Sequence, residues 1–193
     1  MKWKWAWAAL GSWMVLAGGC SRPEQARPDT AHVTVEGGGA LPAALAGRWI
    51  SRQDGWELDI EPDGRIASAV ISLGRVRVVP GRTTTAPTRG ETQAVFTPGP
   101  WMAYYVPGTR ELTVKIVMDH VRIEMAGSIL EGSSTDVFTG PVAPTNDTWQ
   151  TQWTTFTRYT ARTPDNVSHN LSSDPLNGEI RPLVFDRVVT SLP

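Results

Sequence analysis

Short stretches in which apolar and polar residues alternate recur through most of this chain. Between Trp56 and Ile60 every second residue is apolar, and the residues between them are acidic. A period of two is typical of a strand with one buried face, and no stretch sustains the period of a helix. Sequences such as Pro62-Asp63-Gly64, in which proline and glycine favour a reversal, separate these stretches. The chain is therefore predicted to be all-β.

The predicted strands follow each other closely enough to form an antiparallel meander. They cover residues 47–50, 56–60, 65–73, 74–79, 92–97, 101–106, 111–118, 121–125, 134–139, 148–160 and 183–189. Asp119-His120 is predicted to be a tight reversal between two of them. Because a meander has to close or stack in order to hide its edges, we expect an up-and-down barrel of about eight to ten strands. A sandwich or a strongly curved open sheet is the alternative.

The N-terminal residues carry a different pattern. A cationic start with Lys2 and Lys4 leads into an apolar stretch over residues 5–16 and then into the sequence LAGGC, which ends at the only cysteine, Cys20. This arrangement resembles the signal peptide of bacterial lipoproteins. The resemblance implies that residues 1–19 are removed, that Cys20 is acylated with chains such as palmitate, and that these chains anchor the protein to a membrane.

The residues around the cleavage point bear on location. Ser21 after the cysteine resembles the lipoproteins that are sorted to the outer membrane, which implies a folded part in the periplasm or at the cell surface. Ala17 and Gly19 also fit the small-residue pattern of ordinary secretory cleavage, which would leave Cys20 as a free thiol. Both readings predict a protein of the cell envelope.

Composition predicts how the remainder is organised. Residues 20–42 are rich in proline, glycine and charge, so they are predicted to form the lipidated cysteine and a flexible tether. The glycines at 37–39 are the expected hinge into a single β domain over residues 43–193. Without residues 1–19 the chain carries 16 basic and 19 acidic residues and shows no basic stripe. Nucleic acid is therefore not an expected partner.

Gly47-x-Trp49 lies in the first strand of the predicted meander, where it resembles the start of lipocalins and of the wider calycin group. The resemblance implies that Trp49 closes one end of a barrel and that an arginine near the last strand packs across it. Arg187 is the positional counterpart in this sequence. The middle motif of that family, a Thr-Asp-Tyr-like loop, is missing, since residues 135–137 are Thr-Asp-Val.

Aromatic residues provide the candidates for ligand binding. Trp149 and Trp153 are two strand periods apart, so they share a face with Thr151 and Thr155. Aromatic rings interleaved with hydroxyl groups suit a partly apolar ligand. We predict that these four residues and Tyr104 contact a small hydrophobic or amphipathic molecule inside a hollow barrel. The alternative is a filled barrel with an aromatic core, in a non-catalytic envelope interaction or structural accessory protein.

Motifs for catalysis or metal binding are missing from the sequence. None of the three histidines belongs to a recognisable catalytic motif, so no enzyme and no cofactor are expected. A hydrolase built around His120 or His169 is the remote alternative. Acidic residues at positions 59, 61 and 63, followed by Gly64, imitate a calcium loop, but Val70 stands where that loop needs a glutamate. No metal site is predicted.

Overall fold

The computed structural model of the protein describes residues 31–88, 92–125, 127–171 and 177–188. The predicted signal peptide, Cys20 and the first part of the predicted tether lie outside these residues. Within them the chain forms one short 3-10 helix, Ala43–Leu45, and thirteen strands. No helix in this described part is long and apolar enough to cross a membrane. In chain order the strands are β1 (Ala31–Val35), β2 (Gly47–Ser51), β3 (Trp56–Ile60), β4 (Arg65–Ile71), β5 (Val76–Val78), β6 (Thr84–Pro87), β7 (Gln93–Pro98), β8 (Met102–Val106), β9 (Glu111–Met125), β10 (Ser128–Pro141), β11 (Thr148–Arg162), β12 (Ser168–Asn170) and β13 (Ile180–Val188).

Nine of these strands close into a barrel. They follow the order β10-β11-β13-β2-β3-β4-β1-β8-β9, and β9 pairs with β10 to complete the ring. Nine strands cannot alternate in direction all the way round a ring, so one pair of neighbours has to be parallel. That pair is β1 and β8, and the other pairs are antiparallel. The prediction of an all-β barrel is confirmed, and the architecture is consistent with a calycin-like barrel.

The first barrel strand lies in the segment that was predicted to be a tether. Ala31, Val33 and Val35 are buried in the core, and β1 is inserted between β4 and β8. The prediction of a flexible tether over residues 20–42 is therefore corrected for the part from Ala31 onward. The alternation of apolar residues in AHVTV is itself a strand signal, and it outweighs the surrounding proline, glycine and charge. The turn at 37–39 lies within the fold, after β1.

Strand β9 runs unbroken through residues 119–120, where a reversal was predicted. That prediction was wrong because the buried positions of β9 change from even to odd numbers at this point, which imitates the end of a strand. The structure shows a β-bulge instead. Between Met118 and Val121, β9 has two residues opposite the single Ser133 of β10. The extra residue changes which side chains face inward without reversing the chain.

The two ends of the barrel differ, and we name them for that difference. At the closed end, where β2 begins and β13 ends, the 3-10 helix folds against the barrel. Leu45 of this helix is fully buried, and its carbonyl accepts a hydrogen bond of 3.0 Å from the indole Nε1 of Trp49. At the open end, β2 ends and β3 begins. There, β5, β6, β7 and β12 extend the sheet beyond the ring.

Aromatic side chains fill the barrel interior on the side of the closed end. Trp149 stacks on Phe185 with ring centroids 5.0 Å apart, and Trp49 meets Trp149 edge to face at 6.3 Å. Phe138 contacts Phe185 at 5.5 Å and continues the cluster toward the open end. The indole of Trp149 donates a 3.0 Å hydrogen bond to the carbonyl of Gly140. This part of the barrel is a packed core.

Candidate ligand-binding cavity at the open end of the barrel

A cavity of about 190 Å³ lies beyond the aromatic core, at the open end of the barrel. Its wall combines aromatic, aliphatic, hydroxyl and carboxyl side chains from several strands. The residues that carry the argument are Trp56, Leu73, Asp136, Trp153, Thr155 and Tyr159. β10 and β11 supply the polar part because alternate residues of paired strands face the same side, and Asp136 pairs directly with Thr155.

Two tryptophan rings form an angled wall. Trp56 and Trp153 have ring centroids 6.1 Å apart and ring planes inclined by 67°. Phe138 supports both rings from the core side: it stacks on Trp153 at 6.4 Å and meets Trp56 edge to face at 5.0 Å. The wall is thereby held in place by packing, as a preformed binding surface requires.

Asp136 places a buried carboxyl group beside these rings. Its side chain is 5% exposed, and its Oδ1 accepts a 3.0 Å hydrogen bond from the indole Nε1 of Trp153. Burial raises the pKa of Asp136 to about 6, while the hydrogen bonds from Trp153 and Thr155 oppose that rise. The carboxyl group is therefore held in a site where its ionised form is poorly solvated.

Two further residues that line the cavity carry polar atoms. Tyr159 is hydrogen-bonded to Ser134, and burial followed by the nearby charge of Asp136 raises the pKa of its phenol. The indole Nε1 of Trp56 is buried and has no hydrogen-bond partner among the described residues. A buried donor without a partner costs free energy, and this N–H group does not face the cavity space.

An apolar groove of about 800 Å³ borders this cavity, since Leu73 lines both. Val76, Phe96, Ile123 and Met125 form its walls, on β5, β7 and β9. The cavity itself is slightly larger than the roughly 150 Å³ that holds a benzene molecule in an engineered protein core. Together, the cavity suits a small polar or aromatic head, and the groove suits an apolar tail.

The structure separates the residues that were predicted to bind a ligand. Trp153 and Thr155 line the cavity. Trp149 is fully buried in the aromatic core, and the hydroxyl group of Thr151 donates to the carbonyl of Leu183 at 2.9 Å. Tyr104 is 40% exposed on the outer face of β8. The prediction that Trp149, Thr151 and Tyr104 line a cavity is therefore corrected: the first two stabilise the barrel, and the third faces outward.

The three residues of the calycin resemblance come together at the closed end. Arg187 of β13 pairs in register with Trp49 of β2, and its Nη1 donates to the carbonyl of Ala46 at 3.1 Å. The aliphatic part of Arg187 lies over Gly47, 3.6 Å from where a Cβ atom would stand. Gly47 has a φ of +132°, which favours glycine. These contacts join the last strand to the first strand of the predicted meander.

Asp136, Trp56 and Tyr159 are the cavity residues that sequence reasoning missed. A usable signal exists for two of them. Asp136 is two residues before Phe138 on β10, so it shares the inward face, and a carboxyl group on an inward face is unusual. Tyr159 is in phase with Trp153 on β11. The sequence gives no such signal for Trp56, because a tryptophan in a cavity wall and a tryptophan in a core differ only in the residues packed around them.

The residues considered for catalysis lie elsewhere. His120 Nε2 is 3.6 Å from the Glu131 carboxylate on the exposed surface of β9 and β10, where Arg122 also contacts Glu131. His169 is exposed on β12. Asp59, from the imitated calcium loop, is paired with Arg48 at 3.0 Å. In the described residues no group of three or more His, Cys, Asp or Glu side chains is placed to hold a metal ion.

No family model, curated protein or solved structure matches the chain.

Proposed function

We propose that this protein is a lipid-anchored protein of the bacterial cell envelope whose barrel binds a small amphipathic ligand at the open end. The observation that carries the binding proposal is the polar, aromatic cavity bordered by an apolar groove at Leu73. The anchoring proposal rests on the resemblance of the sequence around Cys20 to lipoprotein signals. A ligand drawn from the membrane would reach the site without crossing bulk water.

The cavity and the groove each hold one part of the ligand. The head occupies the cavity, which the rings of Trp56 and Trp153 line together with the carboxyl group of Asp136. The tail follows the groove past Phe96 toward Met125, which is 48% exposed at its outer end. The size of the cavity excludes a bulky head.

Alcohols of different tail length test this division. We expect the full-length protein in lipid nanodiscs to bind octanol at least tenfold more tightly than butanol, measured calorimetrically against empty nanodiscs. Four extra methylene groups are worth about 3 kcal/mol when fully buried, so tenfold is a modest threshold. Equal affinities, or no affinity for either alcohol, would contradict the proposal.

A pair of methionine variants locates the tail. Met125→Glu introduces a charge into the groove and should weaken octanol binding. Met102→Glu is the matched control, because Met102 is 62% exposed on the outer face of β8. An equal effect of both substitutions would place the tail elsewhere.

The anchor has its own test. Cys20→Ala should move the protein from the membrane fraction to the soluble fraction, because the acyl chains are attached to the cysteine sulfur and to the new N-terminus. Unchanged partitioning on immunoblots of fractionated cells would remove the lipoprotein assignment while leaving the binding proposal in place.

A second candidate function is interaction with another envelope protein through the outside of the barrel. It is favoured by large apolar residues on the outer faces of β11 and β13: Phe156, Ile180 and Val184 are 51%, 62% and 50% exposed. Clusters of exposed apolar residues mark interaction sites. Native mass spectrometry of the protein from its envelope extract separates the two functions. A retained small molecule supports ligand binding, whereas a protein subunit that Val184→Ser removes supports interaction.

A further inference from the structure

We propose that the head of the ligand is a small organic ammonium ion, held by the carboxylate of Asp136 in the cavity that Trp56 and Trp153 line. This inference deepens the proposed function and rests on it. It assigns a chemical class to the ligand: an amphipathic amine, with its nitrogen in the cavity and its apolar tail in the groove.

The first argument is that Asp136 lacks a counter-ion. Its hydrogen-bond donors, Trp153 and Thr155, are neutral. No lysine, arginine or histidine forms an ion pair with it in the part of the chain that the structure describes. Burying a carboxylate is unfavourable unless a cation accompanies it. A positively charged ligand would supply what the protein leaves out.

The second argument is that the neighbouring rings suit a cation. An ammonium ion is attracted to a tryptophan face when it lies within about 6 Å of the ring centroid. Trp56 and Trp153 meet edge to face, with centroids 6.1 Å apart and planes at 67°, and both rings line the cavity that Asp136 also lines. Aromatic rings beside a carboxylate suit an alkylated ammonium group.

Arg181 shows that the Trp153 ring attracts a cation within this fold. Its guanidinium carbon lies 5.7 Å from the Trp153 ring centroid, and its side chain is exposed. Arg181 pairs in register with Trp153 across β13 and β11. Arg181 is a positive group beside the cavity wall that an anionic ligand could use, so an anionic head is the outcome that the test has to distinguish.

Three probes with the same tail test the head. Octylammonium, octanol and octanoate are titrated calorimetrically against the full-length protein in lipid nanodiscs at neutral pH, with empty nanodiscs as reference. Octylammonium should bind at least tenfold more tightly than octanol. Asp136→Asn should abolish this advantage and leave octanol binding intact, because asparagine keeps an oxygen acceptor for Trp153. Asp165→Asn, which removes an exposed carboxylate, is the control and should leave all three affinities unchanged.

Several outcomes overturn the inference. Equal binding of octylammonium and octanol, or an advantage that persists in Asp136→Asn, would remove the ammonium assignment and leave the proposed function standing. Tightest binding of octanoate, lost in Arg181→Gln, would assign the head to an anion instead. No binding of any probe would overturn both proposals. Circular dichroism of Asp136→Asn confirms folding before its affinities are compared.

Discussion

Tryptophan residues at the two ends of the barrel perform different tasks. At the closed end the indole N–H groups of Trp49 and Trp149 both donate to backbone carbonyls at 3.0 Å, and both side chains are fully buried. At the open end the N–H group of Trp153 donates to a carboxylate, and that of Trp56 has no partner among the described residues. Residue type alone therefore does not identify a ligand site.

The difference between the two ends follows from what closes each one. The 3-10 helix and Arg187 bring backbone carbonyls and an aliphatic side chain against the closed end. At the open end, residues of β5, β6, β7 and β9 line the groove, and Val121, beside the bulge in β9, lines the cavity. Buried polar groups are normally satisfied in a folded protein, yet among the described residues each end holds one without a partner, Trp56 Nε1 at the open end and Arg187 Nε at the closed end. The feature that distinguishes the open end is therefore its cavity.

The largest expected difference between the ends is in stability. Trp149→Ala should lower the free energy of unfolding by about 3–5 kcal/mol, because it opens a large hole in a close-packed core. Trp153→Ala should cost roughly half as much, since its ring is only partly buried and faces a cavity that is already empty. Urea unfolding of the two variants measures both values. Equal losses would mean that Trp153 belongs to the core and that the cavity is not a site.

A smaller effect is expected from the pH dependence of stability, in which Asp136 should differ from carboxylates on the surface. Its pKa is about 6 in the folded protein against 3.8 in the unfolded chain, so the folded state favours the protonated form. Below about pH 3 both states are protonated, so the difference in pKa has no effect on stability. Above about pH 7 both are ionised, and folding then carries a cost of roughly 3 kcal/mol. Asp136→Asn should therefore be neutral near pH 3 and increasingly stabilising up to about pH 7.

Asp165→Asn is the control for this pH dependence and has the opposite sign. The hydrogen bond from Thr163 lowers the pKa of Asp165, so its stabilising effect is present at neutral pH and is lost as the pH falls. Chemical denaturation of both variants at several pH values gives the comparison. A flat difference between wild type and Asp136→Asn would show that the Asp136 carboxyl group is solvated in the folded protein.

The sequence predicted the barrel because alternation is a local property of each strand. It is evident at residues 56–60, which form β3 as expected. What it could not predict was which strands become neighbours. The parallel pair of β1 and β8 joins residues about 70 positions apart, and no local pattern records that contact. The same limit applies to β9, where the buried positions change from even to odd numbers. Such a change can be caused by a turn or by a β-bulge, and only the pairing with the neighbouring strand distinguishes the two.

Two of the six residues that carry the candidate site, Trp153 and Thr155, could be predicted for a similar reason. Period-two spacing places Trp149, Thr151, Trp153 and Thr155 on one face, and the structure keeps them there. The point along β11 at which the packed core gives way to a cavity depends on residues from other strands. Phe138 and Phe185 close the space around Trp149, whereas beyond Trp153 the described residues leave a cavity. The inward face is a property of one strand, but the cavity is a property of the whole barrel.

The smallest expected effect compares one substitution at both ends. Tryptophan to phenylalanine removes the N–H group and part of the ring, so the loss of volume is similar at Trp49 and Trp56, which are both buried. Trp49→Phe also leaves the carbonyl of Leu45 without its donor, whereas Trp56→Phe removes a donor that has no partner. A buried hydrogen bond contributes about 1 kcal/mol, so Trp49→Phe should be more destabilising than Trp56→Phe by about that amount. Thermal and urea unfolding of the ligand-free variants measure the difference. Octanol affinity should reverse the order, because Trp56→Phe changes the wall of the cavity, whereas Trp49→Phe lies at the closed end and leaves that wall unchanged. If both variants lose the same stability and the same affinity, the two ends of the barrel are not distinct, and the open end is an extension of the core.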